Sequence, residues 1–497
     1  MLELFGAGFA AIFSSPVNIL LIFMGVVAGI IFGALPGLTT VAALSMFLPI
    51  TYGMDLGISL ALLTGIYIGG TSGGLVSAVL LNIPGTPSSI ATCFDGRPLA
   101  LKGKAGKALG VGIFCSFIGT MVSIAAMVFI SPILASLTIK FGPWENFAVT
   151  VFALALISSL VGKSLIKGLI SALLGMMIAT IGFAPIDAVK RYTFGSIELT
   201  SGFTLLPVLV GLYAISEVIA SSAGNEGKNT TIITDFKIRG LGFSLAEMKA
   251  QTGNLIRSCF IGTGIGILPG IGGSTANLVA YSVAKNSSKY PEKFGTGIID
   301  GVVASETANN ATIGGAMIPL LTLGIPGDGS TALLLGGFML HGITPGPLLF
   351  QNQGPAVYTI FAAMILSSFI MMCVMYGGMK GFVQILKIPS YILLPVIVVL
   401  CIIGAYATNF RTFDIWGLVL FGVIGLLMQK FGMPIPPLIL GFILGEPFET
   451  NLRRGLQYSN GNIFDILNHP IAVFFFVMLA LFFGLTGIQK KLREKKA

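Results

Sequence analysis

Gly33-Ala34-Leu35-Pro36-Gly37-Leu38 and Gly266-Ile267-Leu268-Pro269-Gly270-Ile271 are one motif written twice, and each copy interrupts a long apolar segment. Downstream of each stands a second break: Asn82-Ile83-Pro84-Gly85-Thr86 in the first half, Gly324-Ile325-Pro326-Gly327-Asp328 in the second. Between the breaks, Thr71-Ser72-Gly73-Gly74 is matched by Thr312-Ile313-Gly314-Gly315. Proline removes a backbone donor, and glycine takes conformations that other residues avoid. In hydrocarbon the freed backbone groups are costly unless protein or a water-filled cavity satisfies them. Breaks at matching points of a duplicated apolar sequence therefore imply a buried cavity, and such pairs mark solute sites in secondary transporters.

Working outward, the composition fits that reading. Of 497 residues, 55% are hydrophobic and 9% charged, with a mean hydropathy of +0.94. A soluble domain carries about 25% charged residues. Apolar runs recur along the whole length, among them Val17 to Leu35, Leu56 to Leu81, Ala108 to Ile130, Leu165 to Phe183, Ile298 to Leu323, Ala356 to Met379 and Ile471 to Leu485. They amount to roughly a dozen spans, several short for a bilayer core about 30 Å thick. The fold class is an all-α polytopic membrane protein with two inverted structural repeats and broken or re-entrant helices. The N-terminus has Glu3 and no basic residue before the first long apolar run, unlike a secretory signal. Cys93, Cys115, Cys259, Cys373 and Cys401 are scattered without a CxxC pair, so they read as small core hydrophobes and not as a metal site or disulfide framework. The net charge of +9 is no nucleic-acid signature, because the basic residues sit in short loops and in the cluster 490–496. The positive-inside rule places such clusters in the cytoplasm.

The organisation expected is a membrane repeat over 1–220, a polar linker over 221–253, a second membrane repeat over 254–489 and a basic cytoplasmic tail over 490–497. Ser244-Leu245-Ala246-Glu247 is a capping-box pattern and predicts a short surface helix starting at Leu245. The repeats differ in length mainly through the polar insertion 285–293, opposite the short stretch Thr51 to Asp55. Charge gives the orientation. In the first half the loop after the Leu-Pro-Gly segment lacks Lys and Arg, and the loop after the Ile-Pro-Gly segment carries Arg97, Lys102, Lys104 and Lys107. In the second half the pattern reverses: Lys285, Lys289 and Lys293 follow the first break, and His341 to Pro355 has neither Lys nor Arg. Equivalent points then face opposite sides, as inverted repeats require.

The candidate solute site follows from the breaks. Pro269, Gly270, Gly272, Gly273, Ser274, Thr275 and Asn277 give glycines followed by hydroxyl and amide groups at a helix start, matched in the first half by Pro36, Gly37, Thr39 and Thr40. Around the second breaks, Pro84, Gly85, Thr86 and Ser88 face Pro326, Gly327 and Ser330. A helix N-terminus suits a carboxylate or phosphate. No Lys or Arg is expected near these motifs, which leaves backbone donors to bind it. The alternative is that small residues only let helices pack closely.

Intramembrane ionisable residues are functional candidates. Glu306, within Ala304-Ser305-Glu306-Thr307-Ala308-Asn309-Asn310, has small polar neighbours. With Asn309 and Asn310 it offers oxygen ligands for a hard cation such as sodium, the alternative being a helix-packing network. Asp328 sits at a break, where it either binds a cation or caps the next half-helix. Asp300 reads as interfacial, Glu145, Glu198 and Glu217 as structural, and His341 and His469 as interfacial residues. No metal beyond the sodium site and no organic cofactor is expected. An enzyme is not expected either. The string at Asp328 has one residue too many for the GxGD motif of intramembrane aspartyl proteases, and no phosphate-binding GxxxxGK[ST] loop occurs. A channel-like solute pore is the alternative to a carrier, but a filter needs a ring-like arrangement and paired breaks in two repeats do not supply one.

At these residues the chain resembles the large membrane subunit of the tripartite tricarboxylate transporters. The resemblance covers nearly its full length and rests on the stretches 33–40, 82–89, 266–277, 301–312, 324–330 and 342–347 taken together. It implies a multi-pass protein of the bacterial inner membrane that takes up a carboxylate with a coupling ion, sodium or a proton, by alternating access. It also implies a small membrane subunit and a periplasmic solute-binding protein as partners, besides membrane lipid and the carboxylate itself, with no nucleic acid.

Overall fold

The computed structural model describes residues 2–35, 38–160, 164–223, 240–385 and 390–494. The described residues are 81% helical. In chain order the helices of the first half are α1 (Leu2–Phe13), α2 (Pro16–Ala34), α3 (Thr40–Phe47), α4 (Leu56–Leu81), α5 (Ile90–Leu99), α6 (Ala105–Thr138), α7 (Pro143–Leu160), α8 (Leu165–Ala179), α9 (Leu205–Val210) and α10 (Ser216–Ala223). The second half carries α11 (Leu245–Ile267), α12 (Gly272–Asn286), α13 (Ile299–Leu323), α14 (Gly329–Leu340), α15 (Leu349–Asn352), α16 (Gly354–Ile385), α17 (Ser390–Asn409), α18 (Thr412–Lys430), α19 (Ile435–Tyr458) and α20 (Pro470–Glu494). Among the described residues, strand is confined to the two-residue pair β1 (Gly182–Phe183) and β2 (Lys190–Arg191). The protein is a multi-pass membrane protein. Among the described residues, five segments are long and apolar enough to cross a bilayer: Pro16–Ala34, Leu56–Leu81, Pro87–Thr138, Gly354–Gln384 and Thr412–Lys430. Several further apolar helices are shorter, while α11, α13 and α19 run 23, 25 and 24 residues, and α3, α12 and α14 start just after the Pro-Gly breaks.

The chain folds into two compact units, residues 1–135 with 206–427, and residues 136–205 with 428–497. The first unit contains both sets of breaks. Its two halves repeat one plan: α2 packs along α4 as α11 packs along α13, and α3 lies on α4 as α12 lies on α13. The same device brings each pair together. A Cβ on Gly33 or Gly69 would run into the backbone of the partner helix, at Gly70 and Val26, and so would a Cβ on Gly262 or Gly315, at Ala308 and Thr263. Small residues permit that approach where lipid gives no hydrophobic drive to association.

The breaks repeat in backbone detail. Leu35 ends α2 at φ −80°, ψ 118°, and Leu268 ends α11 at φ −80°, ψ 119°. Asn82 ends α4 in the left-handed region at φ 60°, and Gly324 ends α13 there at φ 71°. Loops pair crosswise between the halves. Lys102 Nζ donates to Thr296 O at 2.7 Å, so the basic loop after α5 adjoins the basic loop after α12. His341 Nε2 and Thr51 Oγ1 are 3.1 Å apart, so the two loops without Lys or Arg also meet. Non-equivalent ends sharing a side is the geometry inverted repeats produce.

One element differs from expectation. The Ser244 capping box forms, with Glu247 N donating to Ser244 Oγ and Ser244 N donating to Glu247 Oε2 at 2.9 Å. The helix it starts is not short: it runs 23 residues to the break, because nothing before Leu268 stops it. A Cβ on Gly253 would meet nothing within 4 Å.

In the second unit α19 packs on α7 and α8, and α20 on α7. Polar pairs staple it. His469 Nδ1 lies 2.7 Å from Glu145 Oε1, so the edge histidine and the structural glutamate are partners. Arg191 contacts both Glu449 oxygens at 2.8 and 2.9 Å, and Arg453 bridges Glu449 to Asp187. The Arg453 guanidinium holds the Asp187 carboxyl below the usual carboxylate range.

Candidate functional site

In each repeat the two breaks touch. Gly270 N donates to Gly327 O at 2.7 Å. A Cβ on Gly327 would stand 2.8 Å from Gly266 O, and a Cβ on Gly85 would collide with Gly33 O. Equivalent glycines thus make equivalent approaches. Gly270 and Gly272 also hold φ of 76° and 65°, where a side chain is strained.

The repeats then interlock. A Cβ on Gly273 would lie 2.9 Å from Ser88 Cβ, 2.6 Å from Asn309 Oδ1 and 3.2 Å from Thr312 Oγ1. Tyr67 Oη donates to Asp328 Oδ2 at 3.0 Å. At Gly329 an added Cβ would meet Tyr213 Oη at 2.8 Å and Val41 Cγ2 at 3.4 Å. The starts of α3, α12 and α14 and the turn after Pro84 are therefore neighbours, drawn from both halves.

The residues expected to contact solute divide. Thr39, Ser88, Gly270, Ser274 and Thr275 are partly open. Thr39 caps α3, its Oγ1 accepting from Ala42 N at 3.2 Å. Pro84 is half-buried. Thr40, Gly85, Thr86, Pro269, Gly272, Gly273, Pro326, Gly327 and Ser330 are buried. Thr86 is held in its turn by Ser88 and Ser89. Asn277 is fully buried and spent on protein: its Oδ1 accepts from Ala91 N at 2.7 Å and its Nδ2 donates to Ser305 O at 3.2 Å. It ties α12 to α5 and α13. Pro36 and Gly37 lie outside the described residues. The expectation that no basic side chain stands near the motifs is corrected by Arg97, whose Nη1 donates to Leu80 O just ahead of the Asn82 turn. Arg97, assigned by the charge pattern to the basic loop after the break, lies on α5, which folds back over the end of α4.

Glu306 has no exposed surface. Its Oε1 accepts from Thr92 Oγ1 at 2.5 Å and its Oε2 from Ser116 Oγ at 3.1 Å. Asn310 Nδ2 donates to Ser116 Oγ at 2.9 Å and to Glu306 O at 3.0 Å, while Ser72 Oγ donates to Asn310 Oδ1 at 2.7 Å. Hydroxyls and amides from α4, α5, α6 and α13 thus enclose one carboxylate, and among the described residues no Lys, Arg or His contacts it. Asn309 points elsewhere. Its Nδ2 donates to Thr71 O at 3.3 Å, and its buried Oδ1 has no partner among the described residues. Asp328 shares no hydrogen bond with the Glu306 group. Its Oδ1 accepts from Thr331 N at 2.7 Å and from Thr331 Oγ1 at 2.8 Å, closing a capping box at the start of α14.

Sequence reading missed Thr92, Ser116, Ser72, Tyr67 and Tyr213. A signal existed for two of them: Ser72 stands in the matched Thr71-Ser72-Gly73-Gly74 motif, and Ser116, Thr120 and Ser123 lie at helical spacing on α6 and are fully buried. Tyr213 gave none, since it is delivered by a π-type turn, Gly211–Ile215. Asp95 was also missed. It is fully buried and accepts from Tyr281 Oη, Gly295 N, Gly297 N and Ile298 N, pinning the loop before α13.

A family model described as "Tripartite tricarboxylate transporter TctA family" matches residues 19–440. A protein of Agrobacterium vitis described as "Uncharacterized 52.8 kDa protein in TAR-I ttuC' 3'region" is 37% identical over 458 residues, covering 92% of this chain and 91% of its own length. A second from the same organism, "Uncharacterized protein in TAR-II ttuC' 3'region", is 39% identical over 211 residues, covering 42% of this chain and 87% of its own. No solved structure matches the chain.

Proposed function

Because the chain belongs to the tripartite tricarboxylate transporter TctA family, we propose that it is the large membrane subunit of a binding-protein-dependent secondary transporter. It takes up a carboxylate solute by alternating access, coupled to sodium. The observation that carries this reading is Glu306, fully buried among neutral donors. An uncompensated carboxylate in that setting costs several kcal/mol. It is therefore stable when a cation neutralises it, and oxygen ligands from Glu306, Thr92 and Ser116 suit a hard monovalent ion. The solute binds among the partly open starts of α3, α12 and α14; Thr39 and Asp328 cap α3 and α14, and the uncapped start of α12 offers its backbone donors to a carboxylate. The system sits in a bacterial inner membrane with a small membrane subunit and a periplasmic solute-binding protein.

Uptake of radiolabelled citrate into proteoliposomes holding the three components tests the reading. Accumulation against the citrate gradient, driven by inward sodium, is expected. Glu306→Gln keeps shape and hydrogen-bonding capacity but removes the charge. It is expected to reach normal membrane abundance and to lose about tenfold in sodium-stimulated uptake, which is about 1.4 kcal/mol. Equilibration without accumulation would favour a pore, and a proton-driven, sodium-independent uptake would replace the ion.

A further inference from the structure

Thr92 stands between the two sites. Its hydroxyl has one hydrogen and two acceptors in reach, Glu306 Oε1 at 2.5 Å and Ser305 Oγ at 3.1 Å. On the other side Asn277 Nδ2 reaches Thr92 Oγ1 at 3.5 Å, and Asn277 Oδ1 is fastened to the neighbouring Ala91 N at 2.7 Å. Thr92, Asn277, Ser305 and Glu306 are all fully buried, so water offers no substitute partners. Asn277 belongs to α12, the half-helix that starts at the second-repeat break. Thr92 belongs to α5, which follows the first-repeat break.

We propose that Thr92 is a ligand of the coupling cation and, through Asn277, the positioning residue that links the occupancy of Glu306 to the half-helix α12. The inference rests on the reading of Glu306 as the ion site. With Glu306 empty of cation, the Thr92 hydrogen points to the carboxylate. A cation on Glu306 needs an oxygen lone pair at that place. The hydroxyl turns, its hydrogen goes to Ser305 Oγ, and the hydrogen bond that Asn277 Nδ2 makes to Thr92 is altered. The ion is thereby felt at α12, close to the partly open Ser274 and Thr275. Contiguity alone is not coupling, so the test must read both ends.

Two measurements on the purified full-length chain do so: binding of radioactive sodium, and the labelling rate of Ser274→Cys by a charged thiol reagent in sodium against potassium. Cys373, the exposed native cysteine, is first replaced by serine. The parent is expected to bind sodium and to change its labelling rate about fivefold. Thr92→Val should weaken sodium binding about tenfold and abolish the labelling response, and Thr92→Ser should retain both. Asn277→Ala should bind sodium within about twofold of the parent yet lose the response. If Asn277→Ala does not fold, the Thr92 pair decides alone. Unchanged sodium binding in Thr92→Val, or an unchanged response in Asn277→Ala, overturns the link and leaves the ion site standing. A parent that binds no sodium overturns both.

Discussion

At the scale of single residues, the interlock depends on an absent methyl group. Gly273 belongs to the first turn of α12, and a Cβ there would stand 2.6 Å from Asn309 Oδ1 and 2.9 Å from Ser88 Cβ. Neither neighbour is a free side-chain end: Asn309 is held through its Nδ2 by Thr71 O, and Ser88 belongs to a tight turn. Gly273→Ala is therefore expected to cost about 1–3 kcal/mol by overpacking. It should also lower uptake per folded molecule, because α12 must move away from Ser88. Thermal unfolding in detergent and uptake normalised to folded protein check the two effects. Wild-type stability together with wild-type uptake would mean that the halves part easily at this point. Glu306, Asn309 and Asn310 stood out in the sequence because a carboxylate and amides are rare in an apolar run, and the fold sets Asn310 beside Glu306 while Asn309 turns to Thr71. Thr92 and Ser116 were not, since a hydroxyl can bond to its own helix and leaves no trace in an apolar pattern.

At the scale of elements, the breaks and their order were legible, because Pro and Gly act on the backbone locally. Leu35 and Leu268 share one conformation for that reason, and Asn82 and Gly324 share another. The continuity of α11 was not legible: the capping box marked its start and the Leu-Pro-Gly break its end, but nothing local showed that one helix joins them. Nor was the fate of Asn277, whose partners lie on α5 and α13. The paired breaks make a comparison possible. Gly85→Ala and Gly327→Ala introduce a methyl group against Gly33 O and Ala316, whereas Gly264→Ala on α11 meets nothing within 4 Å. The first two are expected to reduce uptake per folded molecule at least about tenfold, and Gly264→Ala to be neutral or slightly stabilising, since alanine favours helix by about 1 kcal/mol over glycine. Equal uptake in all three variants would reduce the breaks to packing devices.

At the scale of the whole chain, orientation follows from charge and from the crosswise loop contacts together. The Lys102–Thr296 hydrogen bond joins the loops after α5 and α12, and Thr51 meets His341 at loops that lack Lys and Arg. Charge supplies the sign: basic loops are cytoplasmic. Within the first unit, then, Lys104 and Ser287 share the cytoplasmic side and Tyr52 and Asn352 share the other, all four being exposed. Four variants, each adding one exposed cysteine to the Cys373→Ser background whose other four cysteines are buried, labelled with an impermeant maleimide from either face of sealed vesicles, read this directly. Lys104→Cys and Ser287→Cys are expected to react from the cytoplasmic face alone, Tyr52→Cys and Asn352→Cys from the opposite face alone. The contacts fix the pairing independently of the charge rule, so the possible failures separate. If both pairs exchange sides, the positive-inside sign is wrong and the inverted plan survives. If Lys104 and Ser287 react from different faces, the Lys102–Thr296 contact does not form in the membrane. The two repeats would then run in the same direction, and a solute site built from oppositely directed half-helix ends would have no basis.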